Sequence, residues 1–527
     1  MKAPEVRQGI RVRTVGDIAR LGARRYPHKT AVEMGDLRLT YAELNARANQ
    51  LANALKDKGV RPGDRVAIMS ENSLEFVVVT FATAKVGAVF VPLNFRYGPH
   101  ELAYVLSEVC PVVTFAGPTY HEAVAHAVEV GSIATEIVCF ESAGVSLGLD
   151  GLCEGRPTDE LSVAVDTGSV ATILYTSGTT GHPKGVVNTH EATVRLMSVY
   201  AIEGDLETED RMLICGPLFH GGGLCMQLLP ALTFGAGVVL FGKGFDPGTV
   251  LRLVADKGIT VSLWAPTMFA MIANAELAER PDVSCLTKLW YGSSSIAPDI
   301  LRQARQQFPG AAFYQFYGTT EATTISILRP DDHDERASFT GRELYSVEVR
   351  IVDANEHDVT EGEIGEIIVA DGGTCMAGYY RNEEATAATI RAGWLYTGDL
   401  ARRGADGYFT IAGRSSDLII TGGENVYPRE VEEVLLGHDS VVDVAVYALP
   451  DPTYGECVAA AIVIDSPTVT VAELCDFAAA RISRYKVPKN VVIVDELPRN
   501  ASGKVVKRRL VEAHAADQVP SRVRTSS

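Results

Sequence analysis

A chain of 527 residues is too long for one hydrophobic core and predicts roughly three to four structural units. With 46% hydrophobic and 22% charged residues it has the composition of folded globular protein, which excludes disorder as an account of the whole. A formal net charge of −18 argues against a surface built for DNA, RNA or anionic lipid, since each of these needs basic patches.

The first segment, MKAPEVRQGIRVRTVGDIARLG, has no apolar core ahead of a small-residue cleavage site and does not read as a secretory signal. LTYAELNARANQLANALKDKGV predicts a helix: Thr40 and Glu43 stand at capping-box spacing, Leu44, Ala48, Leu51 and Leu55 share a face, and Gly59 ends it. RVAIMS, GAVFVPLN and PVVTFAG are short β-rich runs separated by helical stretches, the alternation of a mostly parallel sheet covered by helices. The longest apolar stretch, Phe76 to Leu93, is interrupted by Lys85 and Gly87, which fits a buried helix followed by a strand and no membrane span. From Gly144 to Gly168 the periodicity gives way to Gly, Asp, Glu and Pro, a surface crossing. The βα rhythm returns with VATILY, GAGVVLFG and ITVSLWAP, so two α/β layers are expected.

Short alternating runs from about Tyr345 to Thr410 predict a small antiparallel β-barrel or sheet. The expected division is therefore a large N-terminal domain over 1–414, made of two α/β layers plus a small β-barrel, a hinge at 415–417, and a small mobile α+β domain over 418–527. Its tail is loose from about residue 514. Nine dispersed cysteines without a C-x-x-C pair read as reduced thiols of a cytoplasmic protein, with neither a zinc site nor a disulfide framework.

The chemistry concentrates first at YTSGTTGHPKGVV. An apolar run that breaks into Gly, Ser and Thr reads as a buried strand feeding a flexible loop, whose N–H groups and hydroxyls suit phosphate oxygens; Lys184 adds a positive charge. The P-loop of nucleotide triphosphatases needs Ser or Thr directly after its lysine, and here Gly185 follows. Taken alone, the stretch fits other phosphate binders or a purely structural loop.

It is followed in order by YGTTE, YTGDL, GRSSDLIITGGENVYPREVE and PRNASGK. With these motifs the chain resembles the adenylate-forming superfamily, and is closest in pattern to its AMP-forming acyl-CoA synthetases; the resemblance runs from roughly Val15 to Leu510. It implies that ATP and a carboxylic acid give an acyl adenylate and pyrophosphate, and that a nucleophile then displaces AMP. Carried over, it gives Thr176, Ser177, Gly178, Thr179, Thr180, Gly181 and Lys184 the ATP phosphates. Thr320 would touch the α-phosphate and Glu321 would hold Mg2+. Gly292, Ser293, Ser294, Gln315, Phe316, Tyr317 and Gly318 would surround adenine, Tyr317 by stacking and Gln315 through its amide. Asp399 would accept from the ribose hydroxyls with Arg414 assisting, and Lys504 would bridge carboxylate and α-phosphate. By residue type alone, Glu321 also suits a helix cap, Asp399 and the run from Gly292 to Ser295 a turn, His220 a buried structural position, and Lys504 a solvated turn.

The resemblance further implies rotation of the small domain about 415–417, where Ser416 stands in place of the usual Asp or Lys, and a pantetheine path beside Gly422 and Gly423. Coenzyme A is the expected acceptor: Arg484, Tyr485, Lys486 and Lys489 offer it charge and a ring, although Val487 occupies a place where some relatives have a basic residue. An amine or a carrier-protein phosphopantetheine stays open as the acceptor. His220, where CoA-forming relatives often have a gate, is followed by glycines and lacks the aspartate that would pair with an α-amine. With Leu224, Met226, Trp264, Met268 and Phe269 nearby, the expected donor is an apolar alkyl or aryl acid. A homodimer is compatible with the sequence; which acid is used is not written in it.

Overall fold

A computed structural model of the protein describes residues 12–140, 148–176, 182–242, 244–277, 279–294, 296, 298–370, 372–466, 468–499, 505–515 and 524–525. The chain forms two compact units, Met1–Glu348 with Val369–Leu395, and Val349–Ile368 with Tyr396–Ser527. Residues 415–417, the expected hinge, form a single 3-10 turn within the second unit.

Among the described residues, the first unit holds two sheets. One has nine strands in the order Arg342–Glu343, Thr323–Leu328, Ala312–Thr319, Lys288–Gly292, Val261–Trp264, Arg211–Ile214, Gly237–Leu240, Thr30–Met34 and Leu37–Thr40. It is parallel from Ala312–Thr319 through Thr30–Met34 and antiparallel at both edges. The other has seven strands, in the order Gly378–Tyr379, Lys184–Thr189, Val170–Thr176, Val89–Leu93, Arg65–Met69, Val113–Ala116 and Glu136–Cys139. These are the two α/β layers expected from the βα rhythm, with helices shielding the apolar runs.

Local rules account for the helices. At Tyr41–Asp57, Glu43 N–H donates to Thr40 Oγ1 at 3.2 Å and Thr40 N–H donates to Glu43 Oε2 at 2.8 Å, closing the capping box; Leu44, Ala48, Leu51 and Leu55 are buried. The helix Leu74–Val86 is buried along its whole length and stops at Gly87, before Val89–Leu93. Lys85, which interrupts the apolar run, is accommodated by pairing at 2.7 Å with Glu160; burial lowers the pKa of its ammonium and the pairing opposes that shift.

In the second unit, Gly455–Ile464 pairs with Ile419–Thr421, Val441–Asp451 and Asn490–Ile493, and Pro428–Leu436 and Val471–Ala479 contribute to the apolar core beside it. The expected small β-barrel corresponds to a five-stranded sheet containing the antiparallel hairpin Trp394–Arg403 and Phe409–Arg414. No helix among the described residues is long and apolar enough to cross a membrane. All nine cysteines are free thiols.

Candidate active site

The glycine-rich segment connects two antiparallel strands, Val170–Thr176 and Lys184–Thr189, with Thr176 opposite Lys184 in register. A triphosphatase P-loop opens a helix, so the connection here is of another kind. The strand beginning at Lys184 had no sequence signal of its own, because KGVV reads as the end of a loop. Ser177, Gly178, Thr179, Thr180 and Gly181 lie outside the described residues. Beside the hairpin, Tyr104 stacks on His182 with centroids 4.6 Å apart. Lys184 Nζ stands 5.0 Å from the ring centroid of Tyr379, whose hydroxyl donates to Glu321 Oε1 at 2.8 Å. Lys184 and Glu321, distant in sequence, are thus joined through a residue that the sequence reading missed.

Glu321 sits in the turn between Ala312–Thr319 and Thr323–Leu328. Thr319 Oγ1 accepts from Ala322 N–H at 3.0 Å, and Thr320 is half-buried beside it. The turn closes only because Gly318 lacks a side chain: a Cβ there would lie 1.8 Å from Thr323 O, and one at Gly292 would lie 2.2 Å from Phe316 O. Ser293 adopts a positive φ of 69°, and both it and Ser294 are exposed. Tyr317 is half-buried, whereas Phe316 packs against Trp290 and Tyr200 with centroids 5.5 and 5.9 Å away.

Gln315 belongs to a buried relay. Its amide lies 3.0 Å from Tyr291 Oη, which lies 2.9 Å from His333 Nε2, while His333 Nδ1 lies 2.7 Å from Arg329 O. Burial lowers the pKa of His333. Nδ1 donates to that carbonyl. Tyr291 Oη donates to Gln315 Oε1, so the phenol fixes which way the amide faces.

His220 lies in a loop that leads into Gly221–Gly223 and a π-turn at Leu224–Leu228. Asn72, 2% exposed, fixes the loop: its Nδ2 donates to Gly216 O and Phe241 O at 2.9 Å each, and its Oδ1 accepts from Leu218 N–H at 2.8 Å. Nothing local marked Asn72 for this task. Phe219 lies against His220, centroids 4.7 Å apart. Of the apolar residues expected nearby, Leu224, Trp264 and Phe269 are fully buried, Trp264 and Phe269 among Phe245 and Phe308, while Met226 and Met268 are half-buried. A cavity of about 410 Å³ beside Leu301, Arg305 and Phe313 contains none of the expected site residues.

In the second unit, Asp399 and Arg414 are opposite each other in the hairpin, and Arg414 Nε lies 2.9 Å from Asp399 Oδ1. Gly422 and Gly423 form the turn between Ile419–Thr421 and Glu424–Val426, with φ of 61° and 85°. Tyr485 is exposed; Lys486 pairs with Glu430 at 2.7 Å, and Lys489 lies 3.9 Å from the centroid of Tyr454. Val487 packs against the core of this unit, which explains an apolar residue there. Lys504 lies outside the described residues.

No group of three or more His, Cys, Asp or Glu able to hold a metal occurs among the described residues. The lone carboxylate of Glu321 beside threonine hydroxyls still fits magnesium, a hard ion that keeps its waters and binds through one or two carboxylates together with substrate phosphates.

The sequence matches the profile of the AMP-binding enzymes over residues 20–380 and that of the AMP-binding enzyme C-terminal domain over 430–504. It is 39% identical to a feruloyl-CoA synthase of Amycolatopsis sp over 488 residues, covering 92% of this chain and 96% of that one. Identity to the indoleacetate–CoA ligase of Aromatoleum aromaticum is 35%, covering 91% and 94%. The crystal structure of ATP-bound MatB from Rhodopseudomonas palustris superposes with a TM-score of 0.86 at 31% identity, covering 95% of this chain and 99% of that one.

Proposed function

Because the chain belongs to the AMP-binding enzyme family, we propose that it activates an apolar, aryl-bearing carboxylic acid as the acyl adenylate and passes the acyl group to the thiol of coenzyme A. The chain is an acyl-CoA ligase of the AMP-forming, acid–thiol type. The aryl preference is supported by the names of the feruloyl and indoleacetate relatives and by the apolar surroundings of His220. The observation that carries the reading is the meeting of Lys184 and Glu321 across Tyr379, a cation and a carboxylate on the two sheets of the first unit.

A carboxylate is a poor electrophile because its leaving group is an oxide, and AMP replaces that leaving group with a weakly basic phosphate. The first step brings an anionic acid against the α-phosphate, so the site must supply positive charge before the bond forms. Lys184 meets the departing phosphates. Thr320 donates to the α-phosphate, and Lys504 bridges it to the incoming carboxylate. Glu321 would hold magnesium, which would supply further charge against the pyrophosphate. Tyr317 and Gln315 hold adenine by face and by edge. Asp399, oriented by Arg414 at 2.9 Å, accepts from the ribose. Turning about 415–417 withdraws Lys504 and brings Gly422 and Gly423 to the thiol.

Product masses test this reading. ATP, Mg2+ and separate aryl and straight-chain fatty acids are incubated with coenzyme A, with amines, or with neither. The expected products are aryl-CoA thioesters, AMP and pyrophosphate. An adenylate that persists with coenzyme A yet becomes an amide with an amine would replace the acceptor assigned here.

A further inference from the structure

Tyr379 touches two groups that the proposed reaction uses, and its own backbone is held from both sides. Met376 N–H donates to Glu321 O at 2.8 Å, Ala377 N–H to Val187 O at 2.8 Å, and Tyr380 N–H to Gly185 O at 2.7 Å. Tyr379 N–H itself donates to Thr386 Oγ1 at 2.8 Å. The strand Gly378–Tyr379 is therefore fastened to the turn carrying Glu321 and to the strand that begins at Lys184. From this mount the phenol donates to Glu321 Oε1 at 2.8 Å, while the ring lies 5.0 Å from Lys184 Nζ. The first contact is a charge-assisted hydrogen bond, and in the second an ammonium is attracted to an aromatic ring.

We propose that Tyr379 is a positioning residue that fixes the carboxylate of Glu321 and the ammonium of Lys184 in one geometry, so that triphosphate and its divalent cation meet groups already in place. The inference rests on reading this site as an ATP site. Its two contacts have separable effects. The hydroxyl orients Glu321 and governs the part of ATP affinity that depends on the divalent cation. The ring supports Lys184 and governs the part that does not.

Calorimetric titration of ATP into the full-length protein, once with Mg2+ and once with EDTA, separates the two effects for wild type, Tyr379→Phe and Tyr379→Leu. Phe keeps the ring and loses the hydroxyl. Its Kd in EDTA should stay within about twofold of wild type, while the gain in affinity brought by Mg2+ shrinks about tenfold. Leu loses both groups, so its Kd in EDTA should also weaken, by about fivefold. Thermal melts of each variant distinguish a merely structural residue, which would lower Tm and leave the ratio of the two Kd values unchanged. Tyr379→Phe with the wild-type ratio overturns the proposal. Wild-type protein that binds no ATP in either buffer overturns the ATP-site reading itself, and this inference with it.

Discussion

The hydroxyl of Tyr291 ties Gln315 to His333, donating to Gln315 Oε1 at 3.0 Å. With Oε1 so held, the amide presents a fixed edge to the base that Gln315 is proposed to meet. Tyr291→Phe should leave Gln315 Oε1 and His333 Nε2 without this partner, lowering stability by about 1–3 kcal/mol in denaturant titrations. It should also raise KM for ATP about fivefold and narrow the preference for ATP over GTP. An unchanged KM with lowered stability would reduce Tyr291 to a packing residue. Lys504→Ala should abolish pyrophosphate release from ATP and acid while leaving thioester formation from supplied acyl adenylate intact. Equal loss in both assays would argue against a lysine that leaves after the first step.

At the scale of elements, the strand Ala312–Thr319 and its turn depend on the missing side chain of Gly318. Gly318→Ala would set a methyl carbon 1.8 Å from Thr323 O, and should destabilise the fold by about 3 kcal/mol, read as a fall in Tm. The helix His190–Glu203 has a different dependence. His190 is buried at its first turn, accepts from Val15 N–H at 3.2 Å through Nδ1, and has its pKa pushed down to about 4 by burial. The unfolded chain takes up this proton near pH 6.5 and the folded chain only near pH 4, so His190 contributes stability above pH 6.5 that is lost as pH falls toward 4. The span is on the order of 3 kcal/mol. His190→Asn, whose Oδ1 can still accept from Val15, should flatten Tm against pH in that window relative to wild type; parallel curves would refute the assignment.

These elements also mark how far the sequence could be read. The helix Tyr41–Asp57 was legible because its cap, apolar face and stop signal lie within one short stretch. The bond from Tyr379 to Glu321 spans 58 residues and that from Asn72 to Leu218 spans 146, so no local pattern announces either. Trp264 and Phe269 were legible as apolar residues, whereas the aromatic neighbours they pack with, such as Phe245 and Phe308, come from other elements and left no local signal.

For the whole molecule, a chain that forms two compact units with separate cores should not melt as one cooperative body. Scanning calorimetry is expected to give more than one transition, and a single peak whose calorimetric and van't Hoff enthalpies agree would contradict this. ATP should raise the transition of the first unit by mass action, since that unit carries Lys184 and Glu321. A glycine-rich turn that opens a helix inherits about half an elementary charge from the helix dipole, fixed in place under all conditions. The connection between Thr176 and Lys184 joins antiparallel strands, whose dipoles largely cancel. An anion that meets Lys184 there would therefore be held without the help of a helix dipole, and ionic strength should loosen that hold.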